Sequence, residues 1–459
     1  MNSRNYSLLE QLAWRTTPGI LGKHPSSVQS VHALLGYFLK DRTSPTPFPG
    51  RDELVHCASF EWGVAPPLEK VIQGPQELEL LLGLPELYRQ SISIIEPWHN
   101  VGINLQGETV RASKNIAYLL QQIADADTIL YPIWQSGVAH PQRLANVLSG
   151  GMATVFEGGD PSVHDATSFD GSSASLKDIL GLVDQLLLRR SAGTAPVIFV
   201  CLGHQLAMAS HVRLIRRAVQ EVMSLDHLRL DNNGKALASL KRVCTKISDI
   251  GESFPVIKRG KVIANGWLDP AFAVARNESF EVGTRRLMPY TGSPLADHVP
   301  LELHDTHALI ADELEGVIDT MISLERQLSI EMFHGDEVNE EAALFANWAY
   351  KNLHDTIVPI RYELAVSPLS WMLSLPYAVE ILSQTRVDEN TMTEVGTTCI
   401  YYKDWETHSI RRSFTAQFHP ELMADIRDIG RRAGPRYSEL KDNDGVRLMI
   451  RLLYHGMQE

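Results

Sequence analysis

Cysteine is scarce in this chain and badly spaced for a structural role. Cys57, Cys201, Cys244 and Cys399 are scattered over 459 residues with no paired or metal-ligand spacing. That pattern excludes a disulfide framework and a zinc site, and fits a reducing, cytoplasmic interior. Long apolar runs are also missing. Although 44% of the residues are hydrophobic, no run is long enough to cross a bilayer. The opening "MNSRNYSLLEQLAWRTTPG" lacks the basic-then-apolar layout of a secretion signal. Basic charge is in deficit, 42 Lys and Arg against 55 Asp and Glu, for a formal net charge of −13. Nucleic acid is therefore not an expected partner, and neither is a membrane.

The acidic excess is concentrated. Residues 302–341 hold twelve Asp or Glu and one basic residue, Arg326. Such runs are most often solvated helix faces. Within "LEGVIDTMISLERQLSIEMF", Leu314, Ile318, Met321, Leu328 and Met332 keep roughly helical spacing. An amphipathic acidic segment could also serve as a lid or as a docking element for a basic partner.

What the chain does have is an alternation of strands and helices. The first ninety residues read as mostly helical and carry no visible chemistry. Strand-like "SISIIEP" (91–97), "TILYPIW" (128–134), "ATVFE" (153–157) and "PVIFV" (196–200) then alternate with helix-like stretches of ten to twenty residues. That pattern predicts an α/β fold with a parallel sheet covered on both faces. Residues 245–300 read as short strands and turns, and 301–356 as acidic helices. Strand-like text returns in "YAVEILSQT", "TTCIYYKD" and "IRRSFTAQFHPE".

The chemistry gathers where strands end. "VIFVCLGHQ" (197–205) delivers Cys201 to the turn between an apolar strand and a helix, where a thiol is exposed and faces a helix amino terminus. A nucleophilic cysteine needs an acid–base partner held by a third group. His419 in "QFHPE" is the best candidate, with Glu421 two residues on and able to accept a hydrogen bond from its imidazole. Alone, His-Pro-Glu reads more often as a surface turn. "EGGDPS" (157–162) places Gly158 and Gly159 after a strand, where the Gly159 and Leu202 amides could form a two-donor oxyanion hole. A plain glycine-rich turn fits the same letters.

Other signals carry less. "HDTH" (304–307) lacks further metal ligands, "SGGMAT" (149–154) lacks the Asp and Ser of a pyrophosphatase loop, and "GILGKHPS" (19–26) has the wrong spacing for a phosphate loop. Cys57, Cys244 and Cys399 read as core or surface residues.

Taken together and in this order, the Gly-Gly loop, Cys-Leu-Gly-His-Gln and Gln-Phe-His-Pro-Glu resemble the class I glutamine amidotransferases. The resemblance covers roughly 91–240 and 360–459. It implies a flavodoxin-like sheet in two parts (91–244 and 360–459), an N-terminal extension (1–90) and an insertion with acidic helices (245–359). It also implies Cys201 as nucleophile, His419 as acid and base, and Glu421 as orienting carboxylate. Gly159 and Leu202 would serve the oxyanion, and Gly158, Gln205 and Ser367 would lie against the substrate. Ser367 enters through "SPLSWMLSLP" (367–376), which has the length of a family motif with Pro368 in place of its histidine. The implied activity is hydrolysis of the glutamine side-chain amide, without cofactor or metal, supplying ammonia to a synthetase partner. A γ-glutamyl hydrolase or amidase on the same fold, and an inactive binding or regulatory module, are the alternatives. Two departures from the family pattern stand out: Phe199 where a glycine is usual, and Asp160 where the Gly-Gly-Pro proline is usual.

Overall fold

The computed structural model describes residues 69–72, 78, 82–83, 88–89, 91–103, 109–124, 127–135, 141–225, 235–258, 261–290, 328–388, 391–420 and 444–457. The strands are β1 (Glu69–Val71), β2 (Ser91–Glu96), β3 (Val101–Ile103), β4 (Thr109–Arg111), β5 (Asp127–Pro132), β6 (Ala153–Phe156), β7 (Val197–Val200), β8 (Pro255–Lys258), β9 (Lys261–Asn265), β10 (Val274–Pro289), β11 (Leu328–Val338), β12 (Ala378–Asp388), β13 (Thr391–Lys403) and β14 (Ile410–Ala416). The helices are α1 (Ala112–Ala124), α2 (Pro141–Ser149), α3 (Leu176–Arg189), α4 (Leu202–Ser224), α5 (Lys235–Ser253), α6 (Glu340–Ile357) and α7 (Asp444–Met457), with a short turn of helix over Arg361–Ala365.

Ten strands form one sheet in the order β1-β5-β2-β6-β7-β14-β13-β12-β10-β11. From β1 to β14 all neighbours run parallel. From β14 to β11 they run antiparallel. The parallel strands β5-β2-β6-β7-β14 stand in the relative order 2-1-3-4-5, the flavodoxin-like arrangement. The expected α/β architecture is therefore present, with an antiparallel extension on one side.

Residue alternation explains why these strands are central. In β7, Val197 and Phe199 enter one core cluster while Ile198 and Val200 enter the other. A strand buried on both faces reads as a continuous apolar run, which is what "VIFV" is. The first cluster packs under α2 to α6, and the second under α1 and α7. Helix α3 starts on a reciprocal cap: Ser175 Oγ accepts from the Asp178 amide and Asp178 Oδ2 accepts from the Ser175 amide, both at 3.2 Å.

Three expectations are corrected. The span 245–300 is not only short strands and turns, since it completes α5 and contains the sixteen-residue strand β10. Leu328 and Met332 lie in β11, not in a helix. Residues four apart share a face in a strand as well as in a helix, and Ile330, Met332 and His334 are buried with strand periodicity. Both β10 and β11 pair within the main sheet, although helix α6 does fall inside the acidic stretch. Lastly, the three-residue strand β1 falls in the region that reads as mostly helical. Residues 301–327, including His304, His307 and most of the acidic run, lie outside the described residues.

Candidate active site

Four parallel strands deliver their carboxyl ends to one place. In a 2-1-3-4-5 sheet the crevice opens between the first and third strands, here β2 and β6. The chain beyond β2 carries Asn100, that beyond β6 carries Gly158 and Gly159, that beyond β7 carries Cys201, and that beyond β14 carries Gln417 and His419.

Cys201 occupies a strained elbow. Its φ of 48° and ψ of −107° lie in a region that side-chain-bearing residues avoid, at a cost on the order of 1–3 kcal/mol. The strain is held from both ends: the Cys201 amide donates to Ala416 O at 2.7 Å, and its carbonyl accepts from the Gln205 amide at 3.1 Å. The twenty-three residues of α4 begin at the next position, so the thiol of Cys201, buried at 1% exposure, sits at a helix amino terminus. Gly203 is required by the same turn. A Cβ there would stand 2.8 Å from Phe156 O and 3.4 Å from Phe199 Cβ. Phe199 itself is buried against Phe156, ring centroids 5.7 Å apart, so it fills the core beneath the elbow.

Gly158 measures how closely the parts converge. A Cβ built on it would lie 2.8 Å from Cys201 Cβ, 3.4 Å from its Sγ and 3.1 Å from His419 Cε1. Thiol and imidazole therefore border the same methyl-sized space beside Gly158. Gln417, which the sequence offered no role, sends its carboxamide toward the sulfur, Nε2 to Sγ 3.9 Å. The Gly159 and Leu202 amides have no hydrogen-bond partner among the described residues. Leu202 opens the helix, where the first N–H groups have no partner within it.

A cleft of about 170 Å³ adjoins this point, lined by Gly159, Ser162 and Gln205 on one side and Arg276, His334 and Asp336 on the other. Two hydrogen bonds join its walls: Ser162 Oγ donates to Asp336 Oδ2 at 2.6 Å, and Gln205 Nε2 donates to Asp336 O at 2.7 Å. Arg276, His334 and Asp336 come from β10 and β11, within the span that the sequence pattern marks as an insertion. The polar "HGDE" inside an otherwise strand-like stretch was the available signal.

His204, three residues from the thiol in sequence, is not its partner. It turns into the sheet, Nδ1 at 2.5 Å from Thr415 Oγ1, which meets Thr398 Oγ1 at 2.6 Å. Burial pushes its pKa down to about 3, so it stays neutral. Beside it, His334 Nδ1 meets Asp336 O at 2.9 Å and Nε2 lies 3.4 Å from Glu394 Oε1. Burial opposes charge on Glu394, yet His334, Thr385 and Lys258 together hold its pKa below the ordinary value.

The structure thus brings Cys201, Leu202, Gly158, Gly159, Gln205 and His419 together. Glu421 lies outside the described residues. Ser367 is elsewhere: its hydroxyl donates to Leu364 O at 2.8 Å and accepts from the Leu369 amide. Trp371, four residues on, packs against Arg217 and Glu221 at the far end of α4. About twenty helical residues, roughly 30 Å, separate that end from Cys201, so Ser367 does not reach the cleft. The motif that suggested it is a short-helix turn. Among the described residues no cluster of side chains could hold a metal, and no helix is long and apolar enough to cross a membrane.

No family model matches this chain, and no curated protein matches it. Among solved structures, the glutaminase domain of Trypanosoma brucei CTPS with bound acivicin aligns over 79% of this chain and 92% of that one, with 11% identity and a TM-score of 0.35. A superposition this loose says nothing about chemistry, which has to be argued from the site.

Proposed function

We propose that the chain is a glutaminase of the glutamine amidotransferase type. One observation carries the reading: a cysteine on a strained strand-to-helix elbow, with an imidazole and a glycine loop bordering the same methyl-sized space. Such strain is maintained where it positions a reacting group.

In this reading the Cys201 thiolate attacks the side-chain carboxamide carbon of glutamine. The negative charge that develops on the oxygen is received by the Gly159 and Leu202 amides; a donor of this kind is worth on the order of a hundred- to a thousandfold in rate. His419 protonates the departing nitrogen, and ammonia leaves as the thioester forms. His419 then takes a proton from water, which adds to the thioester and releases glutamate, and Glu421 orients the imidazole throughout. The Gln417 carboxamide supports charge on the sulfur. In the cleft, the Arg276 guanidinium suits the substrate's α-carboxylate and the Asp336 carboxylate its α-ammonium group. With no nucleotide-binding motif in the sequence, the step that consumes ammonia is assigned to a partner protein. The test is glutamate and ammonia release from glutamine beside a panel of γ-glutamyl peptides, with Cys201→Ala as control. Release from the peptides alone would replace this reading with that of a γ-glutamyl hydrolase.

A further inference from the structure

The Gly158 carbonyl accepts a hydrogen bond from Asn100 Nδ2 at 2.8 Å. This bond fixes a peptide plane. In a trans peptide the carbonyl of Gly158 and the N–H of Gly159 point in opposite directions, and among the described residues no peptide bond is cis. The sheet order says which directions those are. β6, which feeds the glycine loop, lies between β2 and β7. Asn100 follows β2 and Cys201 follows β7. A carbonyl drawn toward Asn100 therefore turns the Gly159 N–H to the Cys201 side.

We propose that Asn100 is a positioning residue that holds the Gly158–Gly159 peptide in the orientation presenting its N–H to the oxyanion. Glycines rotate freely, so an untethered Gly-Gly peptide would also populate the flipped plane, which presents a carbonyl to the oxyanion. The clamp is itself anchored. The Asn100 carbonyl accepts from the Ala112 amide at 3.2 Å, where α1 begins. Just upstream, the buried Glu96 carboxylate accepts from Ser113 Oγ at 2.8 Å and Trp134 Nε1 at 2.9 Å, with Arg111 Nη1 at 3.5 Å. These contacts tie the segment after β2 to α1 and to the chain beyond β5. Asn100 thus holds the glycine loop from a fixed wall.

The inference rests on the glutaminase reading, and its test separates the two. Asn100→Ala and the isosteric Asn100→Asp would be compared with the unaltered chain in glutamine turnover, in thermal melting and in Cys201 alkylation by iodoacetamide. That displacement at carbon forms no oxyanion, so it reports the thiolate alone. Expected is a fall in kcat of roughly ten- to a hundredfold, between loss of one hydrogen bond and loss of a donor, with KM within about threefold. Melting and alkylation should stay unchanged. Asn100→Asp should regain activity, relative to the unaltered chain, as pH falls and its carboxyl gains a proton to donate to Gly158 O. Activity of Asn100→Ala within twofold, or a matching loss of melting temperature or alkylation rate, would overturn the clamp alone. An unaltered chain inert toward glutamine would overturn the glutaminase reading and the clamp with it.

Discussion

Gly158→Ala inserts one methyl group between the proposed nucleophile and its base. The new Cβ would stand 2.8 Å from Cys201 Cβ and 3.1 Å from His419 Cε1. Carbon atoms settle at about 3.5–4.0 Å, so the loop, the elbow or the imidazole has to give by roughly 0.5–1 Å. The elbow cannot give cheaply, being pinned by the hydrogen bonds to Ala416 and Gln205. A misplacement of about 1 Å costs on the order of a hundredfold in rate. Gly158 is not among the glycines at positive φ, so alanine meets no backbone strain and the effect is one of volume. The assay is glutamate release, with Gly181→Ala as control. Gly181 lies in α3 with nothing within 4 Å of an added Cβ, and its replacement should stabilise by about 0.5–1 kcal/mol without touching turnover. A Gly158→Ala protein with turnover within threefold of the parent would refute the convergence of thiol, imidazole and glycine loop on one site.

Other consequences can be measured alongside. Cys201→Ala should abolish turnover, while Cys244→Ala leaves it nearly intact, since burial pushes the Cys244 thiol up to about 12 and keeps it protonated. Arg276→Ala should raise KM for glutamine tenfold or more with little change in kcat, read from steady-state kinetics, if its guanidinium holds the α-carboxylate. Burial raises the Glu380 carboxyl to about 6 from an ordinary 4.5, against the hydrogen bond it accepts from Tyr401. The fold therefore prefers it protonated, and that stability is complete below about pH 4.5 and lost as pH rises through 6. Glu380→Gln should then stabilise at pH 7.5 by up to about 2 kcal/mol and be neutral at pH 4, by urea denaturation. His204 and His211 are both held down to about 3 by burial. Their contribution is present above an ordinary pKa of 6.5 and lost as pH falls from there toward 3, so the urea midpoint should decline below pH 6.5.

Much of the sheet was legible because its strands are buried on both faces and read as short apolar runs: "SISIIE", "ATVF" and "VIFV" begin and end within a residue or two of the reading. That Cys201, Gly158, Gly159 and His419 would converge was legible because each follows such a run, and strand ends in a parallel sheet share an edge. The far wall of the cleft was not. His334 and Asp336 sit in β11, where Leu328 and Met332, four apart, suit a helix as well as a strand. Asn100 was invisible for a different reason: its role depends on which strand neighbours β6, and strand order is not written in the letters around it. Ser367 was a false signal, because a motif of the right length had formed a turn packed on the far end of α4.

The central claim is that Cys201 is a nucleophile aligned for a glutamine-like carbonyl, and covalent labelling tests it most directly. The protein would be treated with a glutamine-like chloroketone, with and without excess glutamine, and its modified peptides mapped by mass spectrometry. The account predicts one adduct, on Cys201, suppressed by glutamine and slowed in His419→Ala. An unreacted Cys201, or labelling that glutamine does not protect, would contradict it.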